Sequence, residues 1–78
     1  MPVFHYTVDG EPQETSEHEL TPTQILTNAK IDATTHYLVE IDGAHRVSFQ
    51  GKPNEEIHMH ENQKFISVST GPTPVSGV

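Results

Sequence analysis

The carboxyl-terminal segment carries the residues best suited to chemistry. Residues 70–78 read TGPTPVSGV, with two prolines at alternate positions and Gly77 just before Val78. Because proline lacks a backbone N–H and favours polyproline II, we expect this segment to leave the folded domain as an extended tail. Residues 71–77 would reach roughly 22 Å at about 3.1 Å per residue. Such a tail is either a frayed terminus or a conjugation tail that threads into an activating enzyme.

The second pattern that could support chemistry is His58-Met59-His60. Two imidazoles two residues apart share one face of a strand and could begin a metal site, with Glu56 or Glu61 adding an oxygen. No recognisable third and fourth ligands accompany them, so we favour exposed histidines that flank an inward Met59 and expect no metal. No serine lies in a Gly-x-Ser-x-Gly motif and no glycine-rich loop is suited to phosphate, so we expect no catalytic site.

Length and charge limit the classes of protein to consider. The chain has 78 residues, with 4 Lys+Arg against 11 Asp+Glu, a formal charge of −7 and no cysteine. We expect one small domain, without disulfides or cysteine-bound metal. At this length we do not expect a free-standing enzyme. The charge argues against nucleic-acid binding. No apolar run is long enough to span a membrane and no secretory signal is recognisable, so we expect a cytoplasmic protein.

The elements that must carry the tail begin with a hairpin. Residues 3–8 alternate with period two, and Asp9-Gly10 is a strong hairpin signal, so residues 12–20 are predicted to return as a polar edge strand. Thr21, Pro22 and Gln24 then form a helix start with a capping box. A helix of about nine residues is expected, with an apolar stripe that lies on a sheet.

The second half predicts further strands at residues 37–41, 46–49 and 64–69, with a short element around residues 55–60. A crossover through the helix is expected to return the third strand beside the first, and the last strand should lie parallel to the first. This order predicts an α+β, β-grasp fold, in which a mixed sheet of four or five strands packs on one helix. Residues 1–70 would form the domain and residues 71–78 the tail. The candidate core residues are Val8, Leu20, Ile25, Leu26, Ala29, Leu38, Ile41, Val47, Phe65, Ile66 and Val68.

Nearly the whole chain resembles the bacterial multiubiquitin-type family of ubiquitin-like proteins. The resemblance runs from the opening strand through LTPTQIL (residues 20–26) and YLVEI (residues 37–41) to KFISVSTGPTPVS (residues 64–76). It implies a β-grasp modifier that is attached to proteins through its carboxyl end. The implied partners are an E1-like adenylating enzyme, an E2-like conjugating enzyme, a JAB-like metalloprotease and the target proteins. ATP would be used by the E1-like enzyme, and the modifier itself would hold no cofactor.

The resemblance also assigns roles to individual residues. Gly77 would be the adenylated and conjugated terminus, exposed when the protease cleaves the Gly77–Val78 bond. This terminus departs from the Gly-Gly ending of most ubiquitin-like proteins, because Ser76 precedes Gly77. The residues that would thread into the enzyme are Gly71, Pro72, Thr73, Pro74, Val75 and Ser76. The candidate acceptors for chain building are the three lysines, Lys30, Lys52 and Lys64.

Two other functions remain open from the sequence. The domain could be a β-grasp interaction module with an inert tail, binding a partner through its exposed sheet. It could also be a sulfur carrier that bears a thiocarboxylate on the same terminus. Glu11, Glu14, Glu17 and Glu19 either form a solvated edge that discourages strand pairing or meet a basic surface on a partner.

Overall fold

The structure, a computed structural model, describes residues 2–70. These residues form one α-helix and seven β-strands in an α+β arrangement. The elements are β1 (Phe4–Val8), β2 (Glu11–Thr15), β3 (Glu19–Leu20), α1 (Pro22–Asn28), β4 (His36–Asp42), β5 (His45–Ser48), β6 (Ile57–His58) and β7 (Gln63–Ser69).

The first hairpin forms at the predicted turn. Asp9 and Gly10 have φ angles of 54° and 82°, the left-handed pair that matches the twist of a two-residue hairpin. β2 is shorter than predicted, however, because it ends at Thr15. Leu20 belongs instead to β3, which pairs with β6 in a separate two-stranded sheet. The polar run between residues 12 and 20 therefore hides a change of sheet, and alternation alone did not reveal it.

The helix start is confirmed in detail. The Thr21 hydroxyl accepts from the Gln24 N–H at 3.2 Å, and the Gln24 side-chain oxygen accepts from the Thr21 N–H at 2.9 Å. Pro22 occupies the first turn, where its missing N–H costs no hydrogen bond. The helix has 7 residues and is held by burying Ile25 and Leu26 against the sheet.

The main sheet is mixed, with the order β2-β1-β7-β4-β5. β7 runs parallel to β1 and antiparallel to β4, which confirms the parallel pairing expected of the last strand. The prediction that the third strand returns beside the first is wrong. β4 is separated from β1 by β7, because the last strand is inserted between them and completes both ladders.

The core lies between α1 and one face of the sheet. Its buried residues are Tyr6, Val8, Leu20, Ile25, Leu26, Leu38, Ile57, Met59 and Phe65, with Ala29 partly buried against them. Four of the predicted core residues lie elsewhere. Val47 is 46% exposed, and Ile41, Ile66 and Val68 are half-buried. Ile41, Ile66 and Val68 were misassigned because they alternate with core residues and so face the other side of the sheet, whereas Val47 faces the core side but is left uncovered by the short helix.

Candidate functional site

Of the predicted reactive segment, the structure describes only the residues that lead into it. Residues 71–78, with Gly77, the Gly77–Val78 bond and the predicted threading residues, lie outside the described residues. The site is therefore built from the end of β7 and from Thr70, the residue that precedes the tail.

β7 is paired on both sides in the main sheet. On one side Tyr6 to Val8 of β1 pair with Gln63 to Phe65, and on the other His36 to Ile41 of β4 pair with Lys64 to Ser69. The Phe65 side chain of β7 is fully buried. Because a strand with two neighbours cannot leave the sheet without breaking two ladders, the strand that precedes the tail is firmly held.

Asp9 extends the parallel attachment toward the tail. The β1–β7 ladder ends where the Asp9 N–H donates to the Phe65 carbonyl at 3.0 Å. Beyond that point the Asp9 carboxylate accepts from the Ser67 N–H at 2.8 Å and from the Ser67 hydroxyl at 2.5 Å. A side chain thus replaces the backbone acceptor that β1 no longer supplies. Sequence analysis identified Asp9 as a turn residue and missed this second contact.

Thr70 is held by the loop before β4. Its N–H donates to the Thr35 carbonyl at 2.8 Å, and its hydroxyl donates to the same oxygen at 3.2 Å. That loop is shaped by Asp32, whose carboxylate accepts from the Thr34 hydroxyl at 2.6 Å and from the Thr34 N–H at 2.9 Å. These hydrogen bonds favour the ionised form and lower the pKa of Asp32. The chain is therefore fixed as far as Thr70.

A small pocket opens beside this base. It has a volume of about 180 Å³ and lies between the start of α1 and the loop that follows β5. Leu26 and Phe49 supply apolar surface, and His36 and Thr70 stand among the polar residues that line it. Thr23 holds the pocket's outer loop, because its N–H and hydroxyl both donate to the Pro53 carbonyl. No sequence motif marks this pocket, since its residues come from four separate segments.

The three candidate acceptor lysines are exposed and lie on three different segments of the chain. Lys30 follows α1 with a left-handed φ of 64°, and Lys52 lies in the loop after β5. Lys64 is on β7, where it pairs in register with Ile41. All three amines are accessible to solvent, and the structure distinguishes none of them as the preferred acceptor.

The histidine pattern has the arrangement that we favoured over a metal site. Met59 is 6% exposed in the core, whereas His58 and His60 on either side of it are exposed. The His58 ring lies 3.4 Å from the Glu19 carboxylate across the β3–β6 pair. Within residues 2–70 no group of three or more His, Cys, Asp or Glu side chains is close enough to hold a metal ion.

Glu61 links the β6–β7 loop to the first hairpin. Its carboxylate accepts from the His5 N–H at 2.8 Å and contacts the His5 Nδ1 at 2.8 Å. Both contacts favour the charged form, so the pKa of Glu61 is lowered. The other side of His5 lies 3.5 Å from the Glu14 carboxylate. By contrast, burial raises the pKa of the Tyr6 phenol in the core.

The sheet face opposite α1, here called the outer face, carries an unexpected apolar strip. Register places Tyr37 opposite Val68 and Val39 opposite Ile66 on this face. Val39 is only 7% exposed although it is not part of the core cluster. Three of the misassigned core residues, Ile41, Ile66 and Val68, thus form a second apolar surface.

Comparison with known proteins found no counterpart. No protein-family model, no curated protein and no solved structure matches the chain. Within the described part of the chain, α1 is far too short to cross a bilayer, and no membrane-spanning helix is present.

Proposed function

We propose that this chain is a ubiquitin-like protein modifier with a β-grasp fold, processed to Gly77 and activated at that carboxyl end. The observation that carries the proposal is the position of β7. It is the last strand within residues 2–70, it lies at the centre of the main sheet, and Thr70, which follows it, is the last residue before the tail. A tail rooted there can be drawn into an enzyme without loosening the domain.

Two features support the β-grasp assignment. One is the order of the elements, which runs hairpin, helix, hairpin and a final strand at the centre of a mixed sheet. The helix covers one face of a mixed sheet in which the first and last strands are parallel. Such an arrangement leaves Thr70, the residue that precedes the tail, beside the loop before β4.

The chemistry needs a terminus without a side chain. We expect a JAB-like metalloprotease to hydrolyse the Gly77–Val78 amide and leave a glycine carboxylate. In an E1-like enzyme, that carboxylate would attack the α-phosphate of ATP and release pyrophosphate. The acyl group would then pass to a thiol with loss of AMP, move to an E2-like enzyme and finally be taken by an amine of a target protein. Because Gly77 has no Cβ, the carboxylate can pass through a narrow channel.

The structure and charge of the domain suit this passive role. The modifier contributes a peptide and an acyl group, and the partner enzymes supply the catalytic groups. We propose a cytoplasmic location, where ATP and the E1-like and E2-like enzymes would be present. Lys30, Lys52 and Lys64 are all exposed and are proposed as acceptors if the modifier forms chains on itself.

Activation can be tested with four versions of the chain. The forms are the full chain, chains ending at Gly77 and at Ser76, and a Gly77→Ala variant of the Gly77 form. Each is incubated with ATP and the E1-like enzyme, and pyrophosphate release is measured. We expect release only from the Gly77 form, with strong loss on Gly77→Ala. Equal release from the full chain would show that processing at Gly77–Val78 is not required.

Stability provides the control for that assay. All four versions differ only beyond Thr70, so their urea unfolding midpoints should agree. A shift of the midpoint in Gly77→Ala would mean that the tail contributes to folding, and loss of activation could then not be assigned to the terminus.

The outer face favours a second candidate function, that of an interaction module. Its apolar strip includes Val39, Ile41, Ile66 and Val68 and lies on the sheet face opposite α1. If this function is the main one, Ile66→Lys would abolish copurification of partners while Gly77→Ala would leave it unchanged. If conjugation is the main one, Gly77→Ala would abolish the covalent adducts.

A further inference from the structure

β5 forms an accessible edge of the main sheet. In the described part of the chain its one strand neighbour is β4, and all four of its residues are exposed. Val47 within β5 is 46% exposed, and among residues 2–70 the other large exposed hydrophobic residue is Val3 at 42%. An edge strand with an exposed apolar centre is a template for pairing with another strand.

The hydrogen-bonding phase of the β4–β5 hairpin identifies the free backbone groups. The Phe49 N–H donates to the Leu38 carbonyl at 2.9 Å, so this pair is hydrogen bonded. Hydrogen-bonded and non-hydrogen-bonded pairs alternate along an antiparallel ladder. Val47 therefore points its N–H and carbonyl toward β4, whereas Arg46 and Ser48 direct theirs away from the sheet.

The opposite edge has the same phase but is blocked. Asp9 and Gly10 form a two-residue turn, whose closing pair, Val8 and Glu11, is hydrogen bonded in such hairpins. Alternation then makes Pro12 and Glu14 the outward-facing residues of β2. Pro12 has no N–H to donate, and Glu14 adds a negative charge. Proline and charge at an edge both discourage strand addition, and β5 has neither a proline nor a carboxylate.

We propose that β5 pairs antiparallel with β5 of a second copy of this chain, about a two-fold axis at Val47. In this register Arg46 of each copy forms a hydrogen-bonded pair with Ser48 of the other. The two Val47 side chains then meet across a non-hydrogen-bonded pair, where the strands bring side chains closest. A register centred on Arg46 would place like charges opposite each other and is disfavoured.

The distribution of charge favours a second copy at this edge. The glutamates of β2, Glu11 and Glu14, lie at the opposite edge of the main sheet, and four strand spacings separate β2 from β5, or roughly 19 Å. Pairing through β5 therefore keeps the most acidic regions of the two copies apart. The net charge of −7 on each copy still opposes association, so added salt should strengthen the dimer, whereas it would weaken a contact held by ion pairs.

The contact is small and the expected dimer is weak. Two hydrogen-bonded pairs and one valine pair bury far less than the ~1,200 Å² of a standard interface. A dissociation constant of roughly millimolar order is therefore expected. Association of this strength is independent of conjugation at Gly77 and would matter where copies are held close together, because tethering raises their effective concentration.

The test measures sedimentation equilibrium and two-dimensional amide spectra over a concentration series of the full chain. We expect the average mass to rise above 8.7 kDa at the highest concentrations and further with added sodium chloride. Concentration-dependent amide shifts should concentrate on residues 45–48. Val47→Lys should abolish both effects. Val3→Lys, which makes the same change at the other exposed valine, should leave both intact.

Three outcomes would overturn the proposal. The mass could stay at 8.7 kDa throughout the series, in which case the open edge serves a different partner or none. The shifts could instead map to the outer face or to β2. Finally, Val47→Lys could dimerise as well as the unaltered chain while retaining its unfolding midpoint.

Discussion

The hairpins at the two edges of the main sheet both contain Asp-Gly, but the dipeptide takes a different position in each. In the first, Asp9 and Gly10 are the two turn residues, and Pro12 and Glu14 face outward along β2. In the second, Asp42 is still a strand residue that pairs with His45, and the outward backbone belongs to Arg46 and Ser48. The β2 edge is thus protected against strand pairing by its sequence, whereas the β5 edge is left available to another strand.

The two hairpins also differ in how they are held. The first is connected to the rest of the domain by two hydrogen bonds, one from the Ser67 N–H to the Asp9 carboxylate and one from the His5 N–H to the Glu61 carboxylate. The second lies beyond the cover of α1, so Val47 is exposed although register places it opposite Glu40, on the side of the sheet that bears the core. Strand alternation thus sets which way a residue faces, whereas the short helix decides whether that residue is buried.

The largest expected effect separates the covered and uncovered parts of the sheet. Leu26 is 2% exposed in the core, so Leu26→Ala should lower the free energy of unfolding by about 2–5 kcal/mol. Val47→Ala should change it by about 0.5 kcal/mol or less, because the side chain is already half in solvent. Urea unfolding of both variants measures the contrast. Equal losses would mean that α1 does not define the core as described.

The next effect distinguishes the two Asp-Gly aspartates. Asp9→Ala removes both hydrogen bonds to Ser67 and places alanine at a left-handed φ of 54°. We expect a loss of about 1–3 kcal/mol. Asp9→Asn, which tolerates that φ and keeps one oxygen acceptor, should lose less. Asp42→Ala should stay within about 0.5 kcal/mol. If Asp42→Ala costs as much as Asp9→Ala, the two turns are held equally and the contrast fails.

The smallest expected effect is the pH dependence of the stability that the Glu61 contacts to His5 provide. Since folding lowers the pKa of Glu61, its contribution to stability is complete above the ordinary value of 4.5 and is lost as the pH falls through the lowered value. Glu61→Gln should therefore be less stable than the unaltered chain at neutral pH, and the difference should shrink below pH 4.5. Unfolding midpoints across a pH series measure it, with the exposed Glu55→Gln as control. A difference independent of pH would rule out the carboxylate as its source.

Local structure was predictable where a few neighbouring residues decide it. The turn at Asp9-Gly10 and the capping box of Thr21 and Gln24 depend on backbone preferences and near-neighbour hydrogen bonds, and both are present. The place of β4 in the sheet was not predictable. It depends on where the last strand inserts, and that is settled by packing between segments far apart in sequence.

The candidate site divides in the same way. The tail's composition predicted that it would follow a terminal strand, and β7 does end at Ser69, just before it. The contacts that hold the base, Asp9 to Ser67 and Thr70 to Thr35, join residues about half a chain or more apart. Single polar residues carry no periodic signal, so such contacts are invisible in sequence. The roles of Gly77 and Val78 remain predictions, because those residues lie outside the described part.

The central claim, that Gly77 becomes the reactive end of a modifier, is tested most directly by mass spectrometry of the protein purified from its natural source. We expect a population that has lost Val78, together with target peptides that carry the chain's carboxyl-terminal residues through Gly77 on a lysine. Replacement of a terminal oxygen by sulfur, without adducts, would instead identify a sulfur carrier. A chain that is intact through Val78, with no adduct on any protein, would contradict the account.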